Sequence, residues 1–460
     1  MSSTVRVASG DVSCVQTGFR LSICALMSFF MLGSSFGQGG APKELAGLQA
    51  LYPSLDSLYM DLHRNPELSF HEEKTAAKMA ARLRGLGFEV TEHVGGYGVV
   101  GVLKNGKGPT VLVRTDMDAL PVREQTGLPY ASTTTVKNDA GETVPVMHAC
   151  GHDIHMTSWV GAATLLSRER DRWQGTLVFV GQPAEEVVQG AERMIRDGFL
   201  SRFPKPDFAL GLHDTHVLPA GQIGVVAGPA YAASNAVDIT FYGKGGHGAF
   251  PQLTIDPLLI AARTVVTLQT IVSREVNPLD PAVVTVGTFH AGTRRNIIPD
   301  QAKIELTVRS FKPEVQKQLI ASIARIARAE AAAGRAPREP AVVLDSLQSS
   351  EVEVNDPALA ARLTTALRRE MGDARVVPTD PVTVSEDFGV FGRAAGVPSI
   401  QLWVGAIEPG EFTRAKAAGT NVPGPHSPMF APDREPTIRT AVAAYTLSVL
   451  ELLAPPVGGK

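Results

Sequence analysis

Thr176-Leu177-Val178-Phe179-Val180-Gly181-Gln182-Pro183-Ala184-Glu185-Glu186 is the stretch whose reading decides the fold. Its first five residues are β-branched, aliphatic or aromatic and too few for a helix, so they predict a buried strand over 176–180. Gly-Gln-Pro then stops the strand, and two carboxylates follow at once. Upstream, residues 154–169 have helical periodicity, and 99–103 and 110–113 are short apolar strands. Downstream, a helix near 191–197 leads to a strand at 208–212. Strands that alternate with helices imply βαβ units, and hence an α/β fold with a mainly parallel sheet flanked by helices. Two helices at 44–63 and 72–86 precede it, and Gly87 is placed to end the second.

The pattern changes near Gly228. A strand at 237–242, a helix at 257–273, strands at 283–289 and 304–311 and a long helix at 313–333 form a strand–helix–strand–strand–helix unit. It has apolar faces of its own and the size of one small domain. Alternation then resumes with a helix at 357–371, a strand at 399–404 and a helix at 434–453. The chain therefore reads as a discontinuous catalytic-type α/β domain (39–227 and 341–455) into which a smaller α+β unit (228–340) is inserted. At 460 residues, two domains agree with the length.

Composition narrows the classes. With 19% charged residues, 44% hydrophobic residues and a net charge of -3, the chain has neither the profile of a disordered protein nor a basic field for nucleic acid. Three cysteines, Cys14, Cys24 and Cys150, do not build a disulfide scaffold. Arg20 precedes the apolar run LSICALMSFFML, and small residues follow up to Gly40. This has the shape of a secretory signal peptide over 1–38, cleaved near Gly37–Gly40, and is too short to span a bilayer. The mature chain is then expected to be exported, without stable membrane association, and to keep Cys150 as its lone thiol.

Polar clusters fall where the predicted strands end, which is where open parallel sheets place their ligands. Asp116 and Asp118 follow the strand at 110–113. His148, Cys150, His152, Asp153 and His155 lie together just before a helix. A thiolate beside imidazoles and carboxylates suits zinc, manganese, cobalt or nickel. Spacing of Cys-x-His is too tight for a structural zinc site, so further ligands must come from other strand ends. A capping role for Asp153 and a nucleophilic Cys150 remain open at this level. Glu185 and Glu186 would repel each other if buried uncompensated. A metal would hold one and leave the other as a base, whereas an exposed acidic turn would need no metal. His213 and His426, each near a strand end or loop, are single signals, and Asp116 and Asp118 are equally compatible with turn-capping.

Taken together, the motifs resemble a known family. Asp116-Met117-Asp118-Ala119-Leu120-Pro121, His148-Ala149-Cys150-Gly151-His152-Asp153, Gln182-Pro183-Ala184-Glu185-Glu186 and His426-Ser427-Pro428 are similar to the metal-dependent amidohydrolases that include hippurate hydrolase, bacterial N-acyl amino acid amidohydrolases and auxin-conjugate hydrolases. Leu62-His63-Arg64-Asn65-Pro66-Glu67-Leu68-Ser69-Phe70, Gly243-Lys244-Gly245-Gly246-His247, Asn296-Ile297-Ile298-Pro299-Asp300 and Ser385-Glu386-Asp387-Phe388 extend the match, in the family's order, over about 48–453.

The resemblance implies a centre of two divalent ions (Mn, Zn, Co or Ni) held by Cys150, His152, Glu186, His213 and His426. It makes Glu185 the general base, with Asp118 and Asp116 supporting the ligands. His247 of the inserted unit would stabilise the oxyanion, from the same chain or from a second subunit of a homodimer. Asn296 and Arg309 would bind a substrate carboxylate; an ordinary ion pair is the plainer role for Arg309. The implied reaction is hydrolysis of N-acyl amino acids or similar small amides, and a dipeptidase or carboxypeptidase would use the same centre. A cysteine-nucleophile enzyme and a catalytically inert binding protein are more distant rivals.

Two departures stand out. Asp214-Thr215-His216 follows His213 where relatives run into an apolar or aromatic residue, which makes His216 a competitor to His213. Phe250-Pro251-Gln252 carries glutamine where relatives commonly have histidine.

Overall fold

The computed structural model describes residues 45–455. The expected export segment lies outside them. No helix among the described residues is long and apolar enough to cross a membrane.

In chain order the main elements are α1 (Ala46–Arg64), α2 (Glu73–Gly85), β1 (Glu89–Val94), β2 (Gly98–Asn105), β3 (Thr110–Asp116), α3 (His152–Arg168), β4 (Gly175–Gln182), α4 (Gly190–Arg196), β5 (Phe208–Pro219) and β6 (Ile223–Val225). The small unit contributes β7 (Ala233–Tyr242), α5 (Pro257–Thr270), β8 (Ala282–Ala291), β9 (Gln301–Ser310), α6 (Pro313–Ala333) and β10 (Ala341–Ser350). The chain returns with α7 (Pro357–Met371), β11 (Val376–Pro378), α8 (Gly389–Ala395), β12 (Ser399–Ile407) and α9 (Arg434–Leu453).

Eight strands form the large sheet in the order β1-β2-β4-β3-β5-β12-β6-β11. Its middle, β4-β3-β5-β12, is parallel throughout. Alternation along these strands divides the core in two. Val111, Val113, Leu177 and Phe179 face a layer built with α1, α3 and α9. Leu112, Val178 and Val180 face Met194, Phe199, Phe388 and Phe391 on the other side. Both faces of the central strands are covered, as a parallel sheet requires.

The small sheet is antiparallel, in the order β8-β9-β7-β10. Val237, Ile239 and Phe241 of β7 pack with Ile304 and Leu306 of β9 against Ile260 and Leu268 of α5 and Leu319, Ile323 and Ile326 of α6. Both α5 and α7 start at a proline behind an aspartate, whose carboxylate accepts the N–H of Leu258 (2.9 Å) and Leu359 (2.8 Å) respectively.

Three expectations shift. The boundary set at 340 falls one strand early, because β10 pairs antiparallel with β7 and belongs to the small sheet. Helix α3 begins at His152 rather than 154: Gly151 takes a left-handed φ of 76°, which turns the chain directly into the helix. Strand β5 runs on to Pro219, so His213 sits within a strand and not at its end. Its ladder with β3 stops at Leu210, and by the same parallel register His213 lies level with Asp116, the last residue of β3.

Candidate metal centre

The centre is built at the carboxyl ends of β3 and β4 and on the neighbouring middle of β5. Asp118, two residues past β3 and fully buried, organises it. Its carboxylate accepts the peptide N–H groups of Glu185 (3.1 Å) and Glu186 (3.0 Å) and the hydroxyl of Ser69 (2.6 Å). Its carbonyl oxygen accepts Nδ1–H of His152 at 2.8 Å. A carbonyl can only accept, so the proton sits on Nδ1 and the lone pair of Nε2 is free for a metal. Before Glu185, Ala184 adopts a left-handed φ of 53°, and the buried carboxylate of Glu72 accepts its N–H at 2.8 Å.

His213 is oriented in the same way. Its Nδ1–H donates to the carbonyl of Asp214 (2.7 Å), which leaves Nε2 facing Sγ of Cys150 at 3.5 Å. The donor atoms of Cys150, His152 and His213 lie within 4.8 Å of one another, and so do those of Cys150, Glu186 and His426. Nε2 of His426 is 3.2 Å from Glu186 Oε2. Tetrahedral sharing of one ion sets neighbouring ligand atoms about 3.4–3.6 Å apart. Two donor sets that share Cys150 are thus each close enough to hold a cation. Nε2 of His152 and Oε1 of Glu186 are buried without a hydrogen-bond partner. Orphaned acceptors among thiol and imidazole donors fit borderline divalent cations.

Electrostatics agree with that fit. Burial first, then the charges of Glu386 and Glu186, push the Glu185 carboxyl well above its ordinary range. Burial and Glu186 likewise push up the Cys150 thiol. Protein groups alone leave this pocket over-supplied with negative charge, which bound cations would offset.

Sequence reasoning named other neighbours without giving them a role. His155 donates Nδ1–H to Asp116 (2.7 Å) and accepts the Asp214 N–H at Nε2 (2.9 Å). The fully buried Arg114 donates to Asp116 (2.7 Å), Gln182 (2.9 Å), Glu386 (2.8 Å) and Asp387 (3.3 Å). Asp116 is thus clamped between Arg114 and His155, beside the donors. Arg114 shares a strand face with Leu112, so its period-two position was the available signal. His216 stays out of the donor sets and lies against Gly424, where a Cβ would come within 2.8 Å of its ring.

The residues expected to meet substrate are elsewhere. His247 and Asn296 sit together at an exposed tip of the small unit, where Gly246–His247 pairs with Ile297–Ile298. Nδ1 of His247 accepts the Ala249 N–H at 3.0 Å, which leaves an exposed Nε2–H. Neither side chain makes a hydrogen bond or ion pair to the metal donors among the described residues. Arg309, on β9, makes no ion pair among the described residues; it reaches across to the large unit and donates to Ser385 Oγ at 2.9 Å.

Residues 112–421 match the model of peptidase family M20/M25/M40. An Arabidopsis thaliana IAA-amino acid hydrolase is 32% identical over 94% of this chain and 96% of that relative. The hippurate hydrolase of Campylobacter jejuni is 36% identical over 76% of this chain and 86% of its own length. Among solved structures, a Bacillus subtilis dinuclear metal-binding peptidase of the M20 family superposes with a TM-score of 0.70 and 30% identity, covering 88% of this chain and 99% of that one. The donor arrangement and these matches agree: the chain belongs to peptidase family M20/M25/M40 and is a metal-dependent hydrolase of amide bonds.

Proposed function

We propose that the protein hydrolyses N-acyl amino acids or closely related small amides at a two-ion centre held by Cys150, His152, Glu186, His213 and His426. The observation that carries this reading is the pair of donor sets sharing Cys150, with the Glu185 carboxylate beside them. Bound divalent ions supply Lewis-acid polarisation of the amide carbonyl and a lowered pKa for the attacking water. Glu185 takes the proton from that water and passes it to the leaving nitrogen, because an amide anion leaves poorly. Asp118 keeps Glu185, Glu186 and His152 in place through its carboxylate and carbonyl. Asp116, neutralised by Arg114, supports the same wall. His247 donates Nε2–H to the oxyanion, and Asn296 with Arg309 engages the substrate carboxylate.

The exposed position of His247 supports a second proposal, a homodimer or a closure of the small unit that brings the tip to a centre. Leu258, Leu259 and Val266 on α5 and Phe289 on the edge strand β8 are exposed apolar side chains that a second copy would cover. Residues 1–38 are proposed as an export signal, which N-terminal sequencing of fractionated protein would check.

The central test is Glu185→Gln. Two ions retained, with turnover of N-acetyl and N-benzoyl amino acids reduced by about 10²–10⁴-fold, is the expected result. Near-normal turnover with metal retained would remove Glu185 as the base. Faster cleavage of dipeptides than of N-acyl amino acids by the unmodified protein would move the assignment to a peptidase.

A further inference from the structure

The conspicuous motif around His63 has no part in the chemistry above, yet it touches several of the turns that carry it. His63 is 2% exposed, and both ring nitrogens face carboxylates: Nδ1 is 2.6 Å from Asp153 and Nε2 is 3.1 Å from Glu124. Neither carboxylate supplies a proton when ionised, so the ring is an imidazolium that donates on both sides. Asp153 immediately follows the donor His152 at the start of α3. Glu124 also accepts the Ser132 N–H and the Thr126 hydroxyl, and the next residue, Gln125, donates its N–H to Pro428 (2.8 Å) in the loop that carries His426. One side chain therefore joins the segments of two metal donors that are remote in sequence.

The next residues of the segment repeat this arrangement. The Glu67 carbonyl accepts the Ala119 N–H at 2.8 Å, and Ser69 donates its hydroxyl to Asp118 at 2.6 Å. Glu72, fully buried, accepts the N–H of Phe70 (2.9 Å) and of Ala184 (2.8 Å) through the same oxygen. Phe70 and Ala184 both have positive φ, 65° and 53°, so Glu72 holds two left-handed residues together. Ala184 directly precedes the Glu185–Glu186 pair. A plain packing element would bury apolar side chains here. This segment instead sends three polar side chains to three separate turns.

We infer that residues 63–72 form a cradle that presets the metal-binding geometry, with His63, Ser69 and Glu72 as positioning residues for His152 and His426, for Asp118, and for Glu185–Glu186 respectively. This rests on the proposed two-ion centre. Partners that orient metal ligands from outside characteristically change affinity by about 10–100-fold when removed. A residue that merely stabilises the fold would lower the melting temperature of the metal-free chain and leave affinity alone.

The test is a competition titration of Zn²⁺ or Co²⁺ against a chromophoric chelator. It uses the metal-free wild type, Ser69→Ala, Ser69→Thr and His63→Gln, with circular dichroism melts of each metal-free chain. Ser69→Ala is expected to weaken at least one ion by about tenfold with little change in melting, and Ser69→Thr, which keeps the hydroxyl, to restore it. His63→Gln should weaken both affinity and melting; if it does not fold, the serine pair decides. A wild type that binds two ions, with a folded Ser69→Ala that binds both within twofold of it, overturns the cradle alone. A wild type that takes up no metal overturns the two-ion centre, and the cradle with it.

Discussion

The wall formed by the ends of β3 and β4 and the middle of β5, and the tip of the small unit, carry similar side chains held in opposite ways. In the sheet wall, Asp118, His152 and His213 are buried and each is fixed by a hydrogen bond of 2.6–2.8 Å. At the tip, His247 and Asn296 are exposed, and the one hydrogen bond to the His247 ring comes from Ala249, two residues away. Groups that share an ion must be preorganised, because a misplaced donor loses affinity directly. Groups that meet substrate must admit and release it, so they belong on a part that approaches and withdraws. On the proposed function the two regions would divide the work: the sheet wall holds its geometry before substrate arrives, and the tip completes the site afterwards.

This contrast breaks first at Arg114. Its guanidinium lies among Asp116, Glu386 and Asp387, all buried, so Arg114→Met leaves carboxylates without their cation. Loss of one partner from such a set costs about 3–5 kcal/mol, readable as a shift in the urea midpoint. Arg309→Met removes a single hydrogen bond to Ser385 and should cost only about 0.5–1.5 kcal/mol. Equal losses at the two arginines would erase the distinction between a rigid and an approaching region.

A substitution at the tip should have the opposite profile. His247→Ala is expected to reduce kcat by about 10²–10³-fold, the usual effect of removing one oxyanion donor. Metal content and the urea midpoint should stay at wild-type values, since the exposed ring's hydrogen bond and ring contact among the described residues are both local, to Ala249 and Phe250. A kcat within threefold of wild type would show that the tip does not complete the site.

How much of this was legible follows the same division. The short unbroken apolar runs at 110–113 and 176–180, with helical stretches between them, exposed the parallel sheet, because strands buried on both faces read as continuous apolar stretches. The Cys150–His152 and Glu185–Glu186 pairs stood out because the chemistry crowds unusual residues into short stretches. Arg114 did not: its period-two place beside Leu112 was the one local sign, and its partners Glu386 and Asp387 lie 272 and 273 residues away. Strand β10 was missed as part of the small unit for a related reason: its partner β7 precedes it by about a hundred residues, and only the register of pairing assigns it. His63 was visible as a motif, but its meaning needed Glu124 and Asp153 brought together in space.

The smallest expected effect tests whether the rigid region depends on that histidine. Burial alone would lower the His63 pKa, but hydrogen bonds to Asp153 and Glu124 outweigh it and raise the value from 6.5 to about 9. A raised folded-state pKa means stability that is fully present below pH 6.5 and is lost as pH rises through 9. For the metal-free chain, the His63 share of that loss between pH 7 and 9 is about 2 kcal/mol. Glu72 and Glu353, whose carboxyls burial pushes up to about 8, act in the same direction, since ionising them in the folded state is unfavourable. Urea unfolding of metal-free wild type and His63→Gln at both pH values separates the contributions. The variant should be less stable at pH 7 and should fall less by pH 9, keeping the shares of the two carboxyls and of His155, which despite its burial Asp116 and Asp214 likewise raise to about 9. Parallel falls in the two proteins would mean that His63 does not carry its charge in the fold, and the buried clamp on α3 would need another explanation.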